Sequence, residues 1–144
     1  MITGLKVRDI MVANPVTIGP DALIVEAAKL MRDNKVGSVI VVEKLKVLGI
    51  ITERDLVRRV LAENRELKTV MIRDIMSISV VSVSPEEDVV HAAHIMRQRG
   101  IRRVIVIDKD DLVGMITTND LVKYMKQNIE ELGSILYTVG RTWM

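Results

Sequence analysis

The sequence predicts a mixed α/β (α+β) fold, built as two β-α-β-β-α repeats that close into a pseudo-twofold pair. Three observations carry this. Residues 5–57 lie on residues 70–122 at a constant shift of 65 without a gap, with about two in five positions identical. Each copy alternates helix-period and β-branched stretches, separated by short polar turns. Each copy also closes on one phrase, LGIITERDL at Leu48–Leu56 and VGMITTNDL at Val113–Leu121. Two copies are too few for a solenoid, so a closed pair is expected.

The elements follow in order. A lead-in, VRDIM or IRDIM, precedes a brief extended piece at Pro15–Ile18 or Val80–Val83. A helix comes next. In the first copy Leu23, Ala27, Leu30 and Met31 form its apolar stripe. In the second, Ser84 is the expected N-cap, with Pro85 at the first position and Glu87 completing a capping box. Ser38–Val42, bounded by Gly37 and Glu43, reads as a buried strand. The polar links EKLK and DKDD read as hairpin turns, and the second hairpin strand should end at Thr52 or Thr117. A last helix is expected from there, to about Glu63 in the first copy. The first β-α-β step should cross over right-handed, making its two strands parallel. The expected divisions are a first repeat at 1–64, a second at 65–127 and a C-terminal tail at 128–144. In the tail, Ile129, Leu132, Leu136, Val139 and Trp143 recur at helical spacing, interrupted by Gly133 and Gly140.

The repeated phrase carries the chemistry. A strand ends on a Thr, a helix begins, and an Asp stands three residues on. Hydroxyl, carboxylate and unpaired backbone N–H groups therefore meet at one helix mouth, which suits sugar hydroxyls and phosphate. The same Thr-x-x-Asp spacing also fits an ordinary capping box with no ligand at all. Both roles can coexist.

Composition removes several function classes. Without cysteine there is no disulfide framework, thiolate nucleophile or thiolate metal site. No apolar run approaches the roughly 20 residues of a membrane span. The N-terminal MITGLKVRDIM is too short and too charged for a secretory signal, so a cytoplasmic location is expected. A formal charge of +2 does not demand nucleic acid. The only aromatic residues, Tyr124, Tyr137 and Trp143, lie near the C-terminal end, so the matching segments 5–57 and 70–122 lack stacking platforms for single strands. Neither a nucleophile elbow, a Walker loop nor a metal triad is present, and no enzyme is expected. Paired Met positions (Met11 with Met76, Met31 with Met96) read as core.

With these marks together, the chain resembles a tandem pair of cystathionine-β-synthase (CBS) domains, the unit called a Bateman module. The resemblance rests on VRDIM, the Pro-Val step at Pro15-Val16, the central β-branched strand and Gly-x-x-Thr-x-x-Asp, and it covers Leu5–Val122. It implies clefts between the copies that bind adenosine compounds such as AMP, ATP or S-adenosylmethionine. The signature Asp would hold ribose hydroxyls, the Thr would lie near phosphate, and backbone would read the adenine edge. Carried over by position, one ligand set is Asn14, Pro15, Val16, Val36, Gly37, Ser38, Thr52 and Asp55. The other is Ser79, Val80, Val81, Ile101, Arg102, Arg103, Thr117 and Asp120, with Val80 standing where the first copy has Pro15. The family commonly pairs through its helices, so a homodimer is expected. The resemblance further implies regulation of an unknown effector on a separate chain, with an adenosine nucleotide as regulatory ligand and no other cofactor.

Two features keep alternative readings. The run Arg97–Arg103 could neutralise nucleic-acid phosphates, reach a nucleotide phosphate through Arg102 or Arg103, or be a solvated face. His91 and His94 stand at i, i+3, yet lack a third ligand nearby and read as exposed helix. A structural interaction module without ligand remains the reading from another class.

Overall fold

The β-branched runs Ser38–Glu43 and Arg103–Asp108 form the centres of two sheets, in a computed structural model that describes residues 4–127. The expected tail at 128–144 lies outside the described residues. The described residues divide into two compact units: 15–80, and the segments 4–14 and 81–127 together.

In the unit 15–80, β2 (Thr17–Ile18) pairs parallel with β3 (Ser38–Glu43), and β3 pairs antiparallel with β4 (Lys46–Thr52). The hairpin turns on Lys44 and Leu45, both at positive φ, the conformation that matches strand twist in two-residue hairpins. Helix α2 (Ile24–Asn34) packs Ile24, Ala27 and Met31 against Val39, Val41 and Ile51. The buried stripe therefore begins at Ile24. Leu23, expected in it, is the N-cap residue and is exposed, because its backbone bridges Met71.

The helix after Thr52 departs from expectation. One turn of α3 (Glu53–Asp55) continues as a π-helical stretch at Leu56–Leu61. Ala62 N–H donates to the Val57 carbonyl and Arg65 N–H to that of Val60, each five residues back. The wider turn buries Val60 and leaves Val57 and Leu61 exposed.

The other unit repeats the plan. Strand β5 (Ser82–Val83) is parallel to β6 (Arg103–Asp108), which is antiparallel to β7 (Asp111–Thr117). A short strand not expected from sequence, β1 (Val12–Ala13), extends this sheet against β7. Helices α5 (Val89–Arg99) and α6 (Thr118–Gln127) contribute Val89, Ala92, Ala93, Met96 and Leu121 to the core. Helix α5 starts at Asp88, whose carboxylate caps Val90 N–H, and not at Ser84. The Ser84 and Glu87 hydrogen bonds do form, but as a turn. Val7 N–H takes the Glu87 carbonyl and Arg8 N–H that of Pro85, so these carbonyls are engaged by the lead-in instead of a helical ladder.

Those last bonds reveal an exchange. The lead-in of each sequence repeat packs in the unit that holds the other repeat's strands. Helix α1 (Val7–Ile10) buries Val7 among Val83, Val89 and Ile116, and its Arg8 pairs with Glu86. Helix α4 (Ile72–Ile75) buries Ile72 and Ile75 among Ile24, Val39 and Ile51, and its Arg73 pairs with Asp21 at 2.6 Å. The aspartate of each RDIM closes its own helix start: Asp9 accepts from Lys6 N–H and Asp74 from Met71 N–H. Met31 and Met96 are buried, and Met11 and Met76 pack at the edge of each core.

Candidate functional site

Each unit carries one helix mouth, and the two superpose bond for bond. In the unit 15–80, Thr52 N–H donates to Asp55 Oδ2 at 2.9 Å and Thr52 Oγ1 donates to it at 3.0 Å. Asp55 N–H returns a bond to Thr52 Oγ1 at 3.2 Å. In the other unit Thr117 and Asp120 repeat all three bonds at 2.8, 3.0 and 3.2 Å. The capping box read from sequence is thus formed twice. It fixes one carboxylate oxygen against the strand end and leaves the second to face other partners. For Asp55 that second oxygen, Oδ1, has Arg59 Nε at 3.9 Å, and Arg59 also donates to the Ile75 carbonyl at 2.8 Å. Tyr124 stands at the equivalent position of the second repeat.

The sheets bring further expected residues to each mouth. Ser38, buried at the start of β3, pairs with Thr52, and Arg103 pairs with Thr117 in the same register. Glu53 N–H donates to the Gly37 carbonyl at 3.0 Å, as Thr118 N–H does to that of Arg102. The Val16 carbonyl accepts from Ile40 and that of Val81 from Ile105, which sets both extended pieces beside the central strands. Val36 and Ile101 close the preceding helices through bonds to the Met31 and Met96 carbonyls. Asn14 takes a left-handed φ of 53° immediately before Pro15, and its N–H donates to the Val113 carbonyl. Thus Pro15, Val16, Val36, Gly37, Ser38, Thr52 and Asp55 share the unit 15–80. Val81, Ile101, Arg102, Arg103, Thr117 and Asp120 share the other, together with Asn14. Ser79 and Val80 belong to the unit 15–80, apart in sequence grouping from the other members of their expected set.

Two residues outside the expected sets stand at the mouths. The Glu53 carboxylate lies over Gly37, its Oε1 3.4 Å from where a Cβ on that glycine would be, and Thr118 takes its place in the other unit. Arg59 is the second. The signal was available: positions 53 and 59 differ in kind from 118 and 124, as 54 does from 119, within segments that share the Thr, the Asp and the Leu-Val step after it.

Of the alternative features, His91 is exposed on α5 with Glu87 Oε1 at 3.7 Å, and His94 is half-buried. Among the described residues no group of three or more His, Cys, Asp or Glu could hold a metal ion. Arg97 and Arg99 are exposed in the last turn of α5, where cations complement the helix dipole.

The CBS domain family profile matches residues 7–62 and 72–127. The chain belongs to the CBS domain family. As a CBS pair it is similar to the CBS domain-containing protein YhcV of Bacillus subtilis, at 35% identity over 94% of this chain and 95% of that one. Among solved structures it is similar to a putative acetoin utilization protein (AcuB) from Vibrio cholerae, with a TM-score of 0.80, 29% identity and coverage of 89% and 95% of the two chains. It is also similar to the CBS domain pair of protein MJ0100 in complex with 5′-methylthioadenosine and S-adenosyl-L-methionine. There the TM-score is 0.78 at 30% identity, covering 89% of this chain and 99% of that one.

The CBS pair has one further surface feature. In the unit 15–80 an apolar groove of about 320 Å³ runs between α2 and the π-helical stretch. Ile24, Val25, Ala28, Val57, Leu61 and Leu67 line it, and Val57, Leu61 and Leu67 are at least half exposed. Among the described residues no helix is long and apolar enough to cross a membrane.

Proposed function

We propose that this CBS pair is a non-catalytic, cytoplasmic regulatory module that binds adenosine compounds of the AMP, ATP or S-adenosylmethionine type at its two helix mouths and acts on a separate partner chain. The observation that carries the reading is the duplicated Thr-x-x-Asp mouth, repeated with the same three bonds beside the same strand starts. The adenosyl ligands of the MJ0100 pair support the ligand class. In this reading Asp55 and Asp120 hold ribose hydroxyls with their outer oxygens. Thr52 and Thr117 face the 5′ substituent, and the backbone at Val16 and Val81 reads the base. A ligand of this kind regulates only as far as it prefers one conformation over another.

Thermal unfolding tests the reading. A ligand at about 100 times its dissociation constant adds about 2.7 kcal/mol to the native state. For a chain of this size that raises the melting point by roughly 5–10 °C. AMP, ATP, S-adenosylmethionine and 5′-methylthioadenosine are the compounds to screen, with guanosine analogues expected to do less. A flat response to all four at millimolar concentration would sink the proposal.

The groove favours a homodimer as part of the same function. Val57 and Leu61 on the π-helical stretch and Leu67 in the turn beyond it leave an apolar patch open to solvent, and such patches mark association surfaces. The hexameric CBS-CP12 protein, similar at 35% identity, shows that a CBS protein can assemble. The chain should sediment as a dimer at micromolar concentration, and Leu61→Glu should shift it to monomer. A parent chain that sediments as a clean monomer would refute this.

A further inference from the structure

The two mouths share a backbone and differ in charge. In the unit 15–80 the first helical turn carries Glu53, Arg54 and Asp55, and the facing strand start is Gly37-Ser38. The formal charge of that set is −1. In the other unit the turn carries Thr118, Asn119 and Asp120, and the facing strand start is Arg102-Arg103. That set sums to +1. The placement of side chains sharpens the contrast. The Glu53 carboxylate lies along Gly37, with Oε1, Cδ and Oε2 at 3.4, 3.5 and 3.9 Å from a Cβ built there. A side chain at position 37 would therefore meet this carboxylate first. In the other unit that position holds the exposed Arg102, and the residue opposite is a neutral threonine.

We infer that the two mouths select different 5′ groups on the adenosine, an inference that rests on the adenosine-binding reading above. The mouth of Arg102, Arg103, Thr117 and Asp120 takes 5′-phosphorylated adenosine. The mouth of Gly37, Ser38, Thr52 and Asp55 takes adenosine whose 5′ group is uncharged or cationic, and Glu53 is the residue that determines this. A phosphate brought beside Glu53 meets a like charge at contact range, and beside Arg102 an opposite one. At that distance, even in a water-like dielectric, one unit charge changes affinity about fivefold. The effect is electrostatic at an exposed site, so it weakens as salt rises.

Calorimetric titration of the whole chain with AMP and with 5′-methylthioadenosine tests the assignment. The two share the adenine and the ribose hydroxyls and differ at the 5′ position, a phosphate in one and an uncharged methylthio group in the other. The variants are Glu53→Thr, which installs the other unit's residue, and the double change Arg102→Gly with Arg103→Ser, which installs the first unit's. Glu53→Thr should raise the AMP to methylthioadenosine affinity ratio of the weaker AMP event about fivefold. The double variant should lower the ratio of the tighter AMP event about tenfold or more, and both changes should shrink at high salt. If both compounds bind and neither variant moves the ratio, charge does not select the ligand, while the adenosine reading stands. A Glu53→Thr chain that melts lower with an unmoved ratio would assign Glu53 to the helix start alone, against the inference. If neither compound binds the parent chain, the adenosine reading falls and the inference falls with it.

Discussion

Replacing Gly49 by alanine should destabilise the fold by about 3 kcal/mol, the upper part of the range for atoms forced into a packed site. The melting point should drop by roughly 6–12 °C for a chain of this length. The cause is not conformation, because the glycine takes no left-handed φ. It is space. A Cβ on Gly49 would stand 2.4 Å from the Ser77 carbonyl oxygen and 3.2 Å from Met76 Sδ. The Ser77 carbonyl cannot withdraw cheaply: it accepts from Ile50 N–H at 2.9 Å, and Ser77 N–H donates to the Ile50 carbonyl at 2.9 Å. The added methyl would break this two-bond bridge and push the second lead-in off the strand. Gly114 occupies the same place in the other unit, but its nearest neighbour is Met11 Sδ at 2.6 Å, the far end of a flexible side chain. Val12 O follows at 3.0 Å. Gly114→Ala should therefore cost less, about 1–2 kcal/mol. Gly19, with nothing within 4 Å of its Cβ position, is the control and should be near neutral. Urea or thermal unfolding of the three variants checks the order. Equal stability of Gly49→Ala and Gly19→Ala would show that the lead-in does not seat on β4 as described.

That glycine shows how far the sequence could be read. Gly49 and Gly114 match across the repeats, and the hairpins around them were legible because β-branched runs and polar links have local causes. The capping boxes at Thr52 and Thr117 were legible for the same reason, every partner lying within three residues. What presses on the glycines was not. VRDIM and IRDIM are so alike that packing beside its own repeat or beside the other buries equivalent side chains, and no pattern in a single sequence separates the two. The exchange then displaced a second reading. Ser84-Pro85 looks like a helix start, yet α1 takes the carbonyls of Pro85 and Glu87, and the helix waits for Asp88. The π-helical stretch had no signal either, since Asp55-Leu56-Val57 and Asp120-Leu121-Val122 are identical where the two helices begin to differ. At the mouths the difficulty was of another kind. Matching the repeats found the shared Thr and Asp, whereas Glu53 and Arg59 stand where the repeats disagree.

Asp55→Asn and Asp120→Asn should each weaken adenosine-ligand binding by about tenfold to a hundredfold while the fold stays intact. A ribose hydroxyl donating to a carboxylate makes a charge-assisted bond worth about 1.5–3 kcal/mol, which converts to that range of affinity. Asparagine keeps the shape and retains one acceptor oxygen for the N–H of Thr52 or Thr117, so most of the capping box survives. Its backbone N–H still donates to the threonine hydroxyl. Alanine is the contrasting variant, since it leaves the Thr52 or Thr117 N–H without its carboxylate acceptor and should cost about 1 kcal/mol of stability whether or not a ligand binds. The two Asn variants should not be equivalent. Asp55 also loses the i,i+4 pair with Arg59 at 3.9 Å, in which the arginine is exposed and the carboxylate largely buried, worth a few tenths of a kcal/mol. Its melting point should therefore fall slightly further than that of Asp120→Asn. Each variant should remove a different binding event, because the carboxylates belong to separate units. Titration of each, after its melting point without ligand is known, separates the two roles. Parent-like affinity in both Asn variants would make the carboxylates caps alone and move the adenosine site away from the helix mouths.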